Sequence, residues 1–334
     1  MPNDSAESGQ KTYVVSFDVA NRLQLFRFQN LTVPPADRPM FRLFQRQFLQ
    51  RVRSALPDVL IQQIEMGELM RRLQSYSGSF VGRESGQVAV STCSPIAFAV
   101  KGEMLSINRL FDAHGDLLGY GPRPCFPTIA DQLVGISARM AGRSAVIVED
   151  GAFTGQTLSF LVENLESAGI RVSKVIIGFC CSRAEAQLKG RFQGEIVVLN
   201  KLVGLVDWLP DHDLIPFVPH CGRVVGEMTP DGPMPACDQR GIGRAFPYIL
   251  PFGKPEEWAT LPPRAARDIS AFCLEAAIEL FQCIEGKSDR KIWVRDLFGT
   301  NIGTLLPAMV DTGSVPDLDE RVTDFLGRMR DMVG

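Results

Sequence analysis

Val146-Ile147-Val148-Glu149-Asp150-Gly151-Ala152-Phe153-Thr154-Gly155-Gln156-Thr157-Leu158 is the stretch that decides the fold. Three aliphatic residues predict a buried strand, two carboxylates close it, and a small-residue turn follows. Thr-Gly-Gln-Thr then opens a helix whose apolar Leu158, Leu161, Leu165 and Ala168 share one face. A strand that ends in acids and turns into a helix N-terminus suits a sugar phosphate. The N–H groups of the turn and the positive end of the helix dipole attract the phosphate. Thr154 and Thr157 add hydroxyl donors, Gly155 lets the backbone come close, and the two carboxylates face sugar hydroxyls or a hydrated Mg2+.

Outward from this stretch the chain alternates strands and helices. Residues 128–140 predict the preceding helix, 172–179 the next buried strand, 184–189 a short helix and 196–199 a further strand. Such alternation implies an α/β fold with a mostly parallel sheet flanked by helices, and ligands then sit at the carboxyl edge of the strands. A strand over 88–90 ends in Ser91 and Thr92, and residues 97–111 look extended. Asp112 to Asp116 form a hairpin turn, with a returning strand over 117–120.

The ends of the chain read as additions, α/β at the N-terminus and helical at the C-terminus. Residues 1–10 form a polar tail without a signal-peptide core. Residues 11–19 and 23–28 predict a strand hairpin turned near Ala20-Asn21, and Phe41, Phe44, Phe48 and Val52 lie at helical spacing. A second helix is expected after Pro57, through Leu60, Ile64 and Leu69 to Leu73. The division that follows is a tail over 1–10, an N-terminal hairpin with helices over 11–80, a core over 81–226, and a Pro/Gly-rich connection with helices over 227–334. In the last of these, a helix after Pro263 carries Ile269, Phe272, Cys273, Ala276, Leu280 and Ile284 and stops at Gly286. A final helix starts at Asp317, with Glu320 in capping-box spacing.

Composition narrows the function classes. With 334 residues and 45% hydrophobic content the chain can bury a sizeable core, and no apolar run reaches membrane-spanning length. A net charge of -3 gives no reason to expect nucleic acid held by bulk electrostatics. The eight cysteines lack C-x-x-C pairing, as idle thiols of a cytoplasmic protein would, and the spacings of His212, His220, Cys221 and Cys237 match no common zinc pattern.

Residues 146–158 resemble the ribose-phosphate-binding motif of the type I phosphoribosyltransferases: aliphatics, two acids, three variable residues, then Thr-Gly-x-Thr. The resemblance implies a glycosyltransferase of nucleotide metabolism. It would move ribose 5-phosphate from phosphoribosyl pyrophosphate (PRPP) to a nitrogenous base or related acceptor, with release of pyrophosphate and with Mg2+ bound through PRPP near Glu149 and Asp150. These two acids would hold the ribose hydroxyls in catalysis. Gly151, Ala152, Phe153, Thr154, Gly155, Gln156 and Thr157 would wrap the 5-phosphate. A homodimer, common in that family, is the implied assembly.

Two departures from the pattern matter. In oxopurine members the residue before Thr-Gly is an acid, whereas Phe153 accepts no proton. The loop expected to take pyrophosphate, with Ser91 and Thr92, contains no basic residue. Arg123, at the base of the hairpin, is a candidate for pyrophosphate, and Trp208, Asp211 and Asp213 are candidates for flanking the base; surface-loop roles stand beside each. A non-catalytic PRPP or nucleotide sensor on the same scaffold is the second reading.

Overall fold

The computed structural model describes residues 11–79, 86–299 and 302–334; the tail over 1–10 lies outside them. The chain divides into two units that are discontinuous in sequence. One unit combines the stretch ending at Val14 with Asp58–Ile107 and Pro127–Trp208; the other combines Val15–Pro57, Asn108–Phe126 and Leu209–Gly334. Sequence order alone suggested consecutive stretches instead.

The first unit is built on a parallel sheet. Its path runs Lys201–Leu202, Val172–Cys181, Ser144–Ala152, Gln87–Ser91 and Glu103–Met104, with Glu195–Val198 also pairing Val172–Cys181. The motif strand Ser144–Ala152 lies in its middle, and its Ala145 to Val148 are fully buried. This explains why it reads as an unbroken aliphatic run rather than an alternating one. Val146, Val148, Ile176 and Phe179 from the sheet pack with Leu69 and Leu73 of the helix Met66–Ser77 and with Ile96 in one core. The α/β class, with a parallel sheet and flanking helices, is therefore present as the sequence implied.

The second unit holds a mixed sheet in the order Leu306–Pro307, Arg244–Phe246, Arg223–Thr229, Ile107–Phe111, Leu117–Pro122, with Gly232–Pro235 added antiparallel to Arg223–Thr229. The helices Pro39–Ala55 and Pro263–Ser288 each begin with a proline in the first turn, where the missing N–H costs nothing. They meet through stacked rings of Phe44 and Phe272, 5.5 Å apart, and Phe217 joins Phe281 to Phe325 of the final helix Val322–Val333. The hairpin turn at Asp112 is as expected, closed by the Asp112 N–H donating to the Asp116 carbonyl at 2.9 Å.

Several local expectations are corrected. Residues 23–28 are not a strand: Val19–Arg22 is a helical turn that runs into a 3-10 helix, Leu23–Gln29, because Leu23 and Phe26 are buried three residues apart. The helix expected through Leu60 to Leu73 starts late; Leu60–Glu65 is a strand and only Met66–Ser77 is helical. Within 97–111, Ser94–Ala99 is a short helix rather than extended chain. Gly286 does not end its helix, which continues to Ser288 and is closed by Asp289 in the left-handed region at φ 50°. The last helix starts at Val322 rather than Asp317, and Glu320 pairs with Arg328 instead of capping it.

Candidate functional site

Glu149 and Asp150 lie near the carboxyl end of the central motif strand. Register places Val90 of the neighbouring strand opposite Ile147, so Ser91 and Thr92 arrive beside Val148 and Glu149. There the Thr92 backbone N–H donates to Glu149 Oε1 at 2.5 Å, and the Ser91 hydroxyl donates to the same oxygen at 3.3 Å. Glu149 is buried, so these bonds fix its carboxylate in one orientation. Asp150 is half-buried, and its Oδ1 accepts the N–H of Gly151 at 2.8 Å.

The loop that follows is shaped by two glycines. A Cβ on Gly151 would lie 2.3 Å from the Phe179 ring, so the strand end closes over that ring only with glycine there. Gly155 sits at φ 77°, and a Cβ on it would meet the Ala184 carbonyl oxygen at 2.8 Å. This residue is the N-cap of the motif helix Gln156–Ser167 and, as glycine, brings no side chain to cap it. The first-turn N–H groups of a helix have no intrahelical acceptor. Thr154 Oγ1 accepts from the Gln156 N–H at 3.4 Å, and the Cys181 thiol donates to the Phe153 carbonyl at 3.0 Å, tying the loop to the neighbouring strand. Phe153 is 37% exposed. Residues 149–152 and Ser91-Thr92 thus meet at one edge of the sheet, and a close-packed turn leads from there into a helix N-terminus whose N-cap is glycine.

The other sequence candidates have the following surroundings. Trp208 packs edge-on against Phe179, with ring centroids 4.7 Å apart, at the margin of the first unit's core. Arg123 lies in the second unit, with Nη1 3.5 Å from His220 Nδ1. Burial, with Arg123 adding repulsion, holds the His220 imidazole well below its usual pKa. Asp213 accepts the Gly222 N–H at 2.8 Å. Asp211 is buried, and its Oδ1 accepts the N–H groups of Asp18 at 2.8 Å and Val19 at 3.2 Å. These bonds give Asp211 and Asp213 structural occupations that the loop sequence did not reveal.

Asp211 belongs to a buried ion network. Burial works against charge on Asp18, yet Arg22 at 2.5 Å and His212 at 2.7 Å hold its carboxyl far below the ordinary range. Burial, reinforced by the Asp18 charge, pushes Asp211 well above it. Asp18, Asp211 and His212 are close enough to bind a metal, but the Asp18 Oδ2 is taken by Arg22, and His212 faces Asp18 through Nδ1 and Asp213 through Nε2. The network is closed by its own members. The depressed pKa of Asp18 contributes stability above about pH 4, lost as pH falls. The raised pKa of Asp211 contributes stability in acid, lost as pH rises through its folded value. Asn is shaped like the protonated acid, so Asp211→Asn is expected to match or exceed wild-type stability, by a margin that widens between about pH 5 and about pH 8. Thermal unfolding across that range checks this, and a deficit that grows with pH contradicts it.

No family model matches the chain, and no curated protein does. Solved structures similar to part of it include an adenine phosphoribosyltransferase from Thermoanaerobacter pseudethanolicus, at 14% identity over 41% of this chain and 80% of that one, TM-score 0.28. A protein of Thermus thermophilus is similar at 17% identity over 40% of this chain and 82% of that one, TM-score 0.27. A protein of Aquifex aeolicus is similar at 16% identity over 57% and 88%, TM-score 0.27. Among the described residues no helix is long and apolar enough to cross a membrane.

Proposed function

We propose that this chain is a phosphoribosyltransferase that binds PRPP at residues 149–157 and transfers its ribose 5-phosphate to a nitrogenous acceptor, releasing pyrophosphate. The observation that carries the proposal is the pair of acids on a central parallel strand leading directly into a helix N-terminus whose N-cap is glycine. Glu149 and Asp150 accept hydrogen bonds from the ribose 2- and 3-hydroxyls. The loop from Gly151 through Thr157 takes the 5-phosphate on backbone N–H groups and the Thr154 and Thr157 hydroxyls. Phe153, exposed and apolar, cannot exchange a proton with a base, so the protein's part is orientation of the ribose and stabilisation of charge at its C1.

Magnesium fits this site as a passenger of the substrate. Hard carboxylate oxygens suit it, and Mg2+ is commonly held by one or two carboxylates plus substrate phosphates rather than by an all-protein cage. Bound there it would neutralise the leaving pyrophosphate.

A second reading, a PRPP or nucleotide sensor without turnover, is favoured by one observation. Thr92, in the loop expected to receive pyrophosphate, directs its N–H onto Glu149, and the chain then enters the helix Ser94–Ala99 with a proline in its first turn. A pyrophosphate-release assay with PRPP, Mg2+ and a panel of bases separates the two. Release with at least one base supports the transferase; calorimetric PRPP binding without release across the panel supports the sensor; no PRPP binding removes both.

A further inference from the structure

Leu110, Val224 and Ala245 pack with Leu305 in one buried cluster. They come from adjacent strands of the second unit's sheet, with Val224 in register with Leu110 on one side and Ala245 on the other. Strand side chains alternate between faces, so Arg109, Arg223 and Arg244, each one residue away, stand together on the opposite face. The ring contacts agree: the guanidinium carbons of Arg109 and Arg223 lie 6.0 and 4.5 Å from the Phe111 centroid. Neighbouring strands are about 5 Å apart, and like charges placed opposite one another destabilise a sheet.

Aromatic rings relieve only part of this repulsion. Arg223 lies 4.3 Å from the Trp258 ring, and its Nη1 donates to the Gly115 carbonyl at 3.5 Å. Its Nε, however, is buried without a hydrogen-bond partner, and so is the Nε of Arg244. No ion pair joins Arg109, Arg223 or Arg244 to a carboxylate among the described residues. Buried cationic donors without acceptors are costly, and they cluster where a ligand completes them. Arg109 is exposed and Arg244 half-buried, so the face is open to a ligand from solution.

We propose that this arginine face binds a ligand with two linked phosphoryl groups. Extending the register sets Arg244 beside Val225, two residues along the strand from Arg223. Diagonal neighbours of that kind are about 7–8 Å apart at the backbone, a span that two linked phosphoryl groups bridge more readily than one. Guanidinium forks match phosphoryl oxygens bidentately. The site draws no residue from the 149–157 motif, so it stands or falls separately from the transferase proposal.

The test is calorimetry without magnesium, using inorganic pyrophosphate as the probe and inorganic phosphate and sulfate at equal ionic strength as comparators. Wild-type protein is expected to bind pyrophosphate at least about tenfold more tightly than either comparator. Arg109→Gln and Arg244→Gln are each expected to weaken it by about tenfold or more, and Thr154→Ala to leave it unchanged. Arg244→Lys, which keeps the charge but loses the Nε donor, replaces Arg244→Gln if the latter folds poorly, and weakening is again expected. Absence of pyrophosphate binding, equal affinity for sulfate, or binding that survives the arginine changes and disappears in Thr154→Ala each overturns the proposal.

Discussion

Asp150→Asn is expected to lower PRPP-dependent turnover on the order of a hundredfold, the scale seen when one charge-stabilising group is removed from an active site, while leaving the unfolding curve where it was. Asn preserves an Oδ1 that can accept the Gly151 N–H, the bond that Asp150 makes at 2.8 Å within its own turn. What it loses is the negative charge and the second carboxylate acceptor that the proposed mechanism assigns to the ribose. The residue is half-buried at a strand end and Asn has nearly the same volume, so the change creates no cavity. Calorimetry with ribose 5-phosphate, PRPP and Mg2+ checks the binding side, and urea unfolding checks the fold. Wild-type turnover in this variant would remove Asp150 from the mechanism; a collapse of stability would make it a structural residue instead.

Gly155→Val is expected to cost both stability and phosphate binding. A β-branched side chain at φ 77° is strained by about 1–2 kcal/mol. Its Cβ would also meet the Ala184 carbonyl oxygen at 2.8 Å, and overpacking against backbone adds about 1–3 kcal/mol. Gly169→Ala is the control. It has φ 76° with nothing within 4 Å of the added Cβ, so it carries the conformational strain alone. Urea midpoints should rank wild type, Gly169→Ala, Gly155→Val in falling order. Ribose 5-phosphate binding should weaken only in Gly155→Val. Equal midpoints for the two glycine variants would show that the Ala184 contact imposes nothing on the loop.

The motif strand and its helix were legible because their determinants are local: an aliphatic run, then acids, then Thr-Gly-x-Thr. The alternation of strands and helices gave the parallel sheet for the same reason. Leu60–Glu65 escaped because its buried Ile61 and Ile64 are three residues apart, a spacing that fits a helix as well. The turn from Val19 to Gln29 escaped because Asp18 and Val19 are anchored by Asp211, nearly two hundred residues along the chain. At the site, the sequence named Ser91, Thr92 and Glu149 but not their bond, which depends on the register between Val90 and Ile147. The arginine face was invisible for a similar reason. Arg109, Arg223 and Arg244 come together only when three strands distant in sequence are aligned.

The interleaved order of the two units governs how the polypeptide can be made. The strand Ile107–Phe111 leaves the ribosome long before Arg223–Thr229, the strand it pairs with through Leu110 and Val224. Until that partner is synthesised, one edge of the early strand presents bare N–H and C=O groups, a template for pairing with other chains. Nor does cutting at residues 81 and 226 yield a self-sufficient piece, since both units take segments from each side of residue 81 and the second unit also spans residue 226. Slowed translation or lowered temperature during expression should therefore change yield more than it would for a protein whose halves are contiguous, and trimmed versions should aggregate rather than behave as smaller soluble units.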